Sequence, residues 1–236
     1  MEISQFCDIV AAYMNRDPSL FTVGSIDLRM QEANNAKLYA QRKMKFELAK
    51  AVVRVSVADN TGGLLSSAVL HSDGVTPVSV RHVIGASVLN TDGETTHPAE
   101  VISMESFNEM VKREGEYLRP PRGQVPLEAT VLPKLVVDGD TVYFSHISSD
   151  ISTSPHTAVL RVIRWMPPYD AASVKTDFFI EECVDWMQWS VIQRLNMYLK
   201  EDERIPVSSA LLTDAWKTVM TWNADMASTV DDLDLD

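Results

Sequence analysis

Residues 176–226 decide the predicted fold and read TDFFIEECVDWMQWSVIQRLNMYLKEDERIPVSSALLTDAWKTVMTWNADM. Two stretches, from about Thr176 to Leu199 and from about Val207 to Met226, place apolar residues at spacings of three and four, which is typical of amphipathic helices. The turn from Asp202 to Pro206 separates them, because proline interrupts helical hydrogen bonding. We therefore predict an antiparallel αα-hairpin whose core includes Phe179, Trp186, Leu195, Leu212, Trp216 and Val219.

The first fifty residues predict two more helices. Residues 3–14 carry an apolar stripe at helical spacing, formed by Ile3, Phe6, Val10 and Tyr13. A second helical run follows Ser25, a residue type that suits an N-cap. Basic residues collect near the end of this run, where they stabilise the negative end of the helix dipole. These helices are predicted to complete a helical bundle.

The segment between these helical regions has the pattern of β-strands. Val53, Val55 and Val57 alternate with Arg54 and Ser56, which is the period of a half-buried strand. Further strands are predicted at 78–84, 135–137, 141–144 and 158–165. A helix over 103–118 and a proline-rich loop over 119–126 are predicted to interrupt them.

Together these patterns predict an α+β fold, a helical bundle with a C-terminal αα-hairpin and an inserted β subdomain. The predicted parts are residues 1–50 for the N-terminal helices of the bundle, 51–175 for the inserted mixed β subdomain, 176–228 for the αα-hairpin and 229–236 for an acidic flexible tail.

Composition narrows the possible functions. The net charge of −12 argues against a module that grips nucleic-acid phosphates, because that affinity comes from clustered Lys and Arg. The sequence has no run of roughly 18 apolar residues of the kind that spans a membrane, and its N-terminus carries Glu2 and Asp8 where a signal peptide is basic. A soluble protein is expected, with Cys7 and Cys183 reduced and buried.

Candidate catalytic groups are few. His71, His82, His97, His146 and His156 are scattered, without the spacing of a metal site. Cys183 is a candidate nucleophile with His146 or His156 as its base, but it lies on an apolar helix face, where burial raises a thiol pKa. No calcium loop or phosphate-binding glycine loop is present. The sequence therefore predicts no enzyme and no catalytic, cofactor-binding or metal-binding residue.

Three motifs occur in a familiar order. Residues 138–144 read DGDTVYF, residues 162–168 read VIRWMPP, and residues 176–179 read TDFF at the start of the tryptophan-rich helices. This order resembles that of the adaptor proteins, also called head-completion or head-to-tail connector proteins, of podovirus-like tailed bacteriophages. The resemblance covers about residues 135–226 and extends to residues 3–50.

The resemblance implies a non-enzymatic structural protein of the virion. Its partners would be the portal protein, tail or nozzle proteins, and other copies of itself in a ring of about twelve subunits. DNA would be only a passing cargo during ejection, since an acidic ring wall repels phosphates, and no membrane would be involved. The expected location is the head-to-tail interface of the virion, and the host cytoplasm during assembly.

The last eight residues read TVDDLDLD. Such a short, charged segment does not fold alone, and the resemblance implies that it docks onto the portal through Val230, Leu233 and Leu235. A frayed, solvated terminus is the alternative. For the whole chain, the alternatives are another phage tail assembly protein, such as a tail terminator or baseplate subunit, and a small cysteine hydrolase.

Overall fold

The computed structural model describes residues 1–58, 61–106, 109, 132–145, 147, 152–170 and 172–231. It contains both helices and a large mixed sheet, so the fold is α+β, as predicted. The chain forms two compact units. A helical unit contains Met1–Glu47 and Met166–Asp236, and a sheet unit contains Leu48–Trp165. Among the described residues, no helix has the length and apolarity needed to cross a membrane.

The helices of the helical unit follow the apolar periodicity of the sequence. The described helices are α1 (Ile3–Met14), α2 (Leu28–Lys43), α3 (Phe178–Glu181), α4 (Val184–Tyr198) and α5 (Ile205–Asp231), and a small hairpin joins β1 (Thr22–Val23) to β2 (Ile26–Asp27). Helix α1 has the predicted bounds and buries Ile3, Phe6 and Val10. It ends at Asn15, whose left-handed conformation (φ 52°) stops the helix.

Two helices differ from their prediction. Helix α2 begins at Leu28, because Asp27 and not Ser25 caps it, with the Asp27 carboxylate accepting a hydrogen bond from the Arg29 N–H at 2.9 Å. The run predicted from Thr176 to Leu199 is two helices. Cys183 leaves the helical region (φ −115°, ψ 31°), and its N–H bonds to the Phe178 carbonyl, which ends the first helix early.

The sheet unit contains one mixed eight-stranded sheet. Its strands are β3 (Lys50–Val57), β4 (Gly63–Leu64), β5 (Val69–Leu70), β6 (Val80–Leu89), β7 (Thr96–Ile102), β8 (Lys134–Asp138), β9 (Thr141–Ser145) and β10 (His156–Arg164). The strand order is β4-β9-β8-β7-β6-β10-β3-β5, and among the described strands only the β7–β8 pair is parallel. The central strand β10 pairs with β3 from His156↔Val57 to Ile163↔Lys50.

Alternating apolar residues build the core of the sheet unit. Val53, Val55 and Val57 face inward from β3, and Ala158, Leu160 and Val162 face inward from β10. Leu135 and Val142, on strands several places away in the sheet, belong to the same buried cluster. Because residues from distant strands share one core, the sheet must curl.

Strand β7 is a part of the sheet that the sequence analysis did not predict. It contains Pro98, which lacks the N–H that a strand normally donates, and its alternation is irregular. Strand β6 also runs to Leu89, beyond the predicted end at Ile84. The predicted helix over 103–118 and the loop over 119–126 lie almost entirely outside the described residues.

The curl of the sheet requires a glycine at position 63. Ala58 and Gly62 bond to each other through both backbone N–H groups, which brings β4 back beside β3. A Cβ atom on Gly63 would lie 2.3 Å from the Ser56 carbonyl oxygen and 2.9 Å from the Val55 side chain. Both distances are too short for contact, so only glycine fits there without a backbone shift.

We expect Gly63→Ala to destabilise the sheet unit by about 3 kcal/mol, because overpacking forces the backbone to move. The measurement is amide hydrogen exchange in β3 and β10. Ser56→Ala is the control, since Ser56 is an exposed residue beside the same contact and its change should stay within about 0.5 kcal/mol. Equal protection in the two variants would show that the close approach does not constrain the sheet.

Candidate interaction surface

Aromatic rings fill the centre of the helical unit. Phe178 stacks on Trp222 with ring centroids 5.0 Å apart, and Phe179 contacts Phe46 at 5.1 Å and Trp186 at 5.5 Å. Trp186 in turn contacts Trp216 at 5.3 Å. Large aromatic side chains bury much apolar area, and this chain of rings links α3, α4 and α5.

The residues predicted for the hairpin core divide into two groups. Phe179, Trp186, Leu195 and Val219 are buried. Leu212 and Trp216 are half-buried and lie at the edge of a groove. All six were predicted to lie in the core, because periodicity identifies the face of a helix but not where its packing ends.

A buried lysine joins α2 to the segment that precedes α3. Lys37, on α2, is 2% exposed, and its Nζ lies 2.6 Å from Asp177 Oδ2 and 2.6 Å from the Pro167 carbonyl oxygen. It also lies 4.2 Å from the centre of the Tyr169 ring. Burial lowers the pKa of Lys37 more strongly than the ion pair with Asp177 raises it. A charge buried this deeply is stable only while its partners stay in place.

The segment that leads into α3 contains the partners of Lys37, and it also bonds to other residues of α2. Asn34 bonds to the backbone N–H of Tyr169 at 2.6 Å, and Gln41 accepts from the N–H of Met166 at 2.7 Å. The Tyr169 hydroxyl donates to Asp177 at 2.5 Å, and burial, with Asp177 nearby, raises the pKa of Tyr169. Residues 166–175, which the sequence analysis placed with the β segment, therefore belong to the helical unit.

A second buried cation fastens α1 to the start of α2. Arg29 is 7% exposed and donates to the Cys7 carbonyl at 3.1 Å and to Asp27 at 2.7 Å. Burial raises the pKa of the Cys7 thiol to about 12. Cys7 is therefore a packed core residue, and Arg29 has a structural role.

The candidate nucleophile Cys183 is also buried. Burial raises the pKa of its thiol to about 11, which disfavours the nucleophilic thiolate. Of its two candidate bases, His156 lies in the sheet unit and His146 lies outside the described residues. In the part of the chain that the structure describes, no group of three His, Cys, Asp or Glu side chains is arranged to hold a metal ion.

The described surface of the helical unit contains several grooves, two of which are lined by exposed apolar residues. The first has a volume of about 500 Å³ between α2, α4 and α5, and Tyr39, Lys43, Trp186, Met197 and Trp216 are among its lining residues. The second, of about 440 Å³, includes Tyr13, Trp189, Asn196, Val207 and Leu211. The Tyr13 and Trp189 rings meet edge to face at 5.1 Å. Both grooves are lined largely by apolar side chains.

Several apolar side chains near these grooves are exposed to solvent. Met197 and Tyr198, at the end of α4, are 52% and 57% exposed, and Val207, near the start of α5, is 62% exposed. Leu211 and Tyr13 are also exposed. Neighbouring exposed apolar residues on a folded protein are typical of a surface that binds another protein.

The predicted docking tail lies partly outside the described residues. Helix α5 continues to Asp231, so the first three residues of the predicted tail are helical. Val230 falls within this helix, and Leu233 and Leu235 lie outside the described part. The docking role of these three residues remains a prediction.

No protein-family model matches this sequence. No curated protein is significantly similar to it.

We expect Lys37→Met to destabilise the helical unit by about 3 to 5 kcal/mol, because it leaves the half-buried Asp177 carboxylate without its cation. Urea unfolding followed by tryptophan fluorescence measures this, since four of the five tryptophans lie in the helical unit. Lys217→Met is the control. Lys217 is 72% exposed, and losing its surface ion pair should change stability by less than about 1 kcal/mol. Equal unfolding midpoints would contradict a structural role for Lys37.

Proposed function

We propose that this protein is a structural virion protein, a subunit of the adaptor ring that joins the portal of the capsid to the tail of a tailed bacteriophage. The exposed apolar surface along α4 and α5 is the observation that carries this proposal. An assembly subunit can bury Met197, Tyr198 and Val207 against its neighbours, which removes their apolar surface from water. The motif order of residues 138–179 supports the same function.

The proposal includes a finer description of the fold, a helical bundle with a C-terminal αα-hairpin and an inserted β subdomain. Contacts between α4 and α5 support the hairpin. Gln193 donates to Ser209 at 2.7 Å near the connecting turn, and Trp186 meets Trp216 further along. The chain also leaves the helical unit at Glu47 and returns to it at Met166, which is the connectivity of an insertion.

The proposed partners are the portal protein, tail or nozzle proteins, and further copies of the chain in a ring of about twelve subunits. The proposed ring lines the DNA passage without holding DNA. Its acidity supports this role, because a net charge of −12 on each subunit gives a surface that repels phosphates. No catalytic step is part of the proposal.

We expect Val207→Asp to weaken binding to the portal protein of the same phage at least about tenfold, because it places a charge in an apolar contact. Native mass spectrometry of the mixture measures the bound fraction. Thr221→Asp is the control, since it adds the same charge at another exposed position of α5. If both variants bind like the unaltered chain, the groove surface is not the portal contact. If the unaltered chain binds no portal, the adaptor function is wrong.

The tail gives a separate prediction. We expect deletion of residues 229–236 to reduce the yield of portal complexes and of infectious particles, because Val230, Leu233 and Leu235 would lose their apolar contacts on the portal. The control variant keeps these three apolar residues and replaces four acids with Asn, namely Asp231, Asp232, Asp234 and Asp236. Complexes and particles at unaltered levels after the deletion would assign portal binding to the helices.

A further inference from the structure

The outward positions of three neighbouring strands of the sheet unit carry basic residues and no acids, although the chain has a net charge of −12. Strands β3, β6 and β10 contain no aspartate or glutamate, while these two residue types make up 33 of the 236 in the chain. An even distribution of acids would place several on three strands of this length. We use the name basic sheet face for the outward positions of these strands that carry Lys50, Arg54, His82 and Arg161.

The strand register shows that these residues share a face. Val55 and Leu160 point into the core, so Arg54 and Arg161, which have the opposite parity, point outward. Arg161 is paired with Val52, two residues before Arg54 on the neighbouring strand. The two arginines are therefore diagonal neighbours, about 7 to 8 Å apart.

The guanidinium of Arg54 is held in place before any partner binds. Its Nε donates to His71 Nδ1 at 3.0 Å, and a second nitrogen donates to the His71 carbonyl. These bonds fix the orientation of a long side chain, so less conformational entropy is lost when a partner binds.

The other arginine, Arg161, is exposed and makes no ion pair within the described part of the chain. Its guanidinium lies over Gly85, where a Cβ atom would come within 3.3 Å of Arg161 Nε. Glycine at this position leaves room for the arginine on the sheet. Arg161 thus presents an unneutralised charge, although its outward neighbours Val159 and Ile163 are buried.

The face also exposes apolar side chains. Val52 is 41% exposed and Ile84 is 43% exposed, one on each side of Arg161 in the sheet. Arginines combined with exposed aliphatic residues are characteristic of protein–protein contacts, in which arginine is enriched. A purely phosphate-binding surface would not need these apolar groups.

We propose that the basic sheet face binds an acidic surface on a second copy of this chain. The inference rests on the proposed ring and adds the location of one of its subunit contacts. Charge complementarity supports this occupant, because a chain with such an excess of acids offers acidic surface elsewhere on the same molecule. A contact between two different surfaces of identical chains repeats head to tail, and it closes into a ring when the rotation allows.

A nucleic acid is the competing polyanion. Its phosphates would be attracted to Arg54 and Arg161 at short range but repelled by the field of the whole acidic chain at longer range. The observations therefore favour the second copy, and nucleic-acid binding becomes an outcome that the experiment must separate.

The test compares Arg161→Glu with Lys217→Glu in the full chain. Both make the same charge change at an exposed side chain, and Lys217 is 72% exposed on α5. Sedimentation velocity measures self-association at several salt concentrations, alone and with the portal protein of the same phage. We expect Arg161→Glu to weaken assembly about tenfold at low salt, and less at high salt, whereas Lys217→Glu leaves it unchanged. Circular dichroism verifies that both variants fold.

Each other outcome overturns the inference in a recognisable way. If the unaltered chain and Arg161→Glu assemble equally, the basic sheet face is not a subunit contact, while the proposed ring stands. If the unaltered chain assembles neither alone nor on the portal, the ring itself is wrong and the inference fails with it. If a labelled DNA duplex binds at physiological salt and Arg161→Glu abolishes that binding, the partner is a nucleic acid and not a second copy.

Discussion

A buried ion pair between Lys37 on α2 and Asp177 at the start of α3 holds together the two halves of the helical unit. The chain leaves this unit at Glu47 and returns at Met166, so the two halves of the unit are far apart in sequence. The ion pair joins them. Asp177 also caps α3 by accepting from the Phe179 N–H, which sets the position of the first ring in the aromatic core. A buried lysine without its partner has a high free energy. The folded state in which the returning segment docks correctly is therefore strongly favoured.

The two units expose different kinds of surface. The helical unit exposes apolar residues of α4 and α5 around its grooves, and the sheet unit presents the exposed Arg161 and the half-buried Arg54 on strands that contain no acids. Apolar contacts supply most of the free energy of association, whereas charges mainly determine which surfaces meet and how fast. A subunit that contacts both unlike partners and its own copies needs both kinds of surface, and the proposed adaptor ring requires such a subunit.

Much of the fold could be predicted from local pattern. Strands β3 and β10 and helix α1 were predicted because their inward residues recur at one clear period, that of a strand for β3 and β10 and that of a helix for α1. Strand β7 was missed because Pro98 breaks that pattern, and it joins the sheet only through tertiary pairing. Lys37 was missed for a different reason. A lysine reads as exposed, and its burial depends on Asp177, 140 residues away in sequence. The sequence did contain one signal of this burial, because Lys37 shares a helical face with Ala33, Ala36 and Ala40.

Locating this chain in a cryo-electron microscopy reconstruction of the virion would test the adaptor proposal. We expect a ring directly beneath the portal, in which each subunit shows the aromatic helical unit and the curled eight-stranded sheet unit. We also expect neighbouring protein to cover the exposed ends of α4 and α5. Density for this chain at the distal end of the tail, or a mature virion that lacks the chain, would contradict the adaptor proposal.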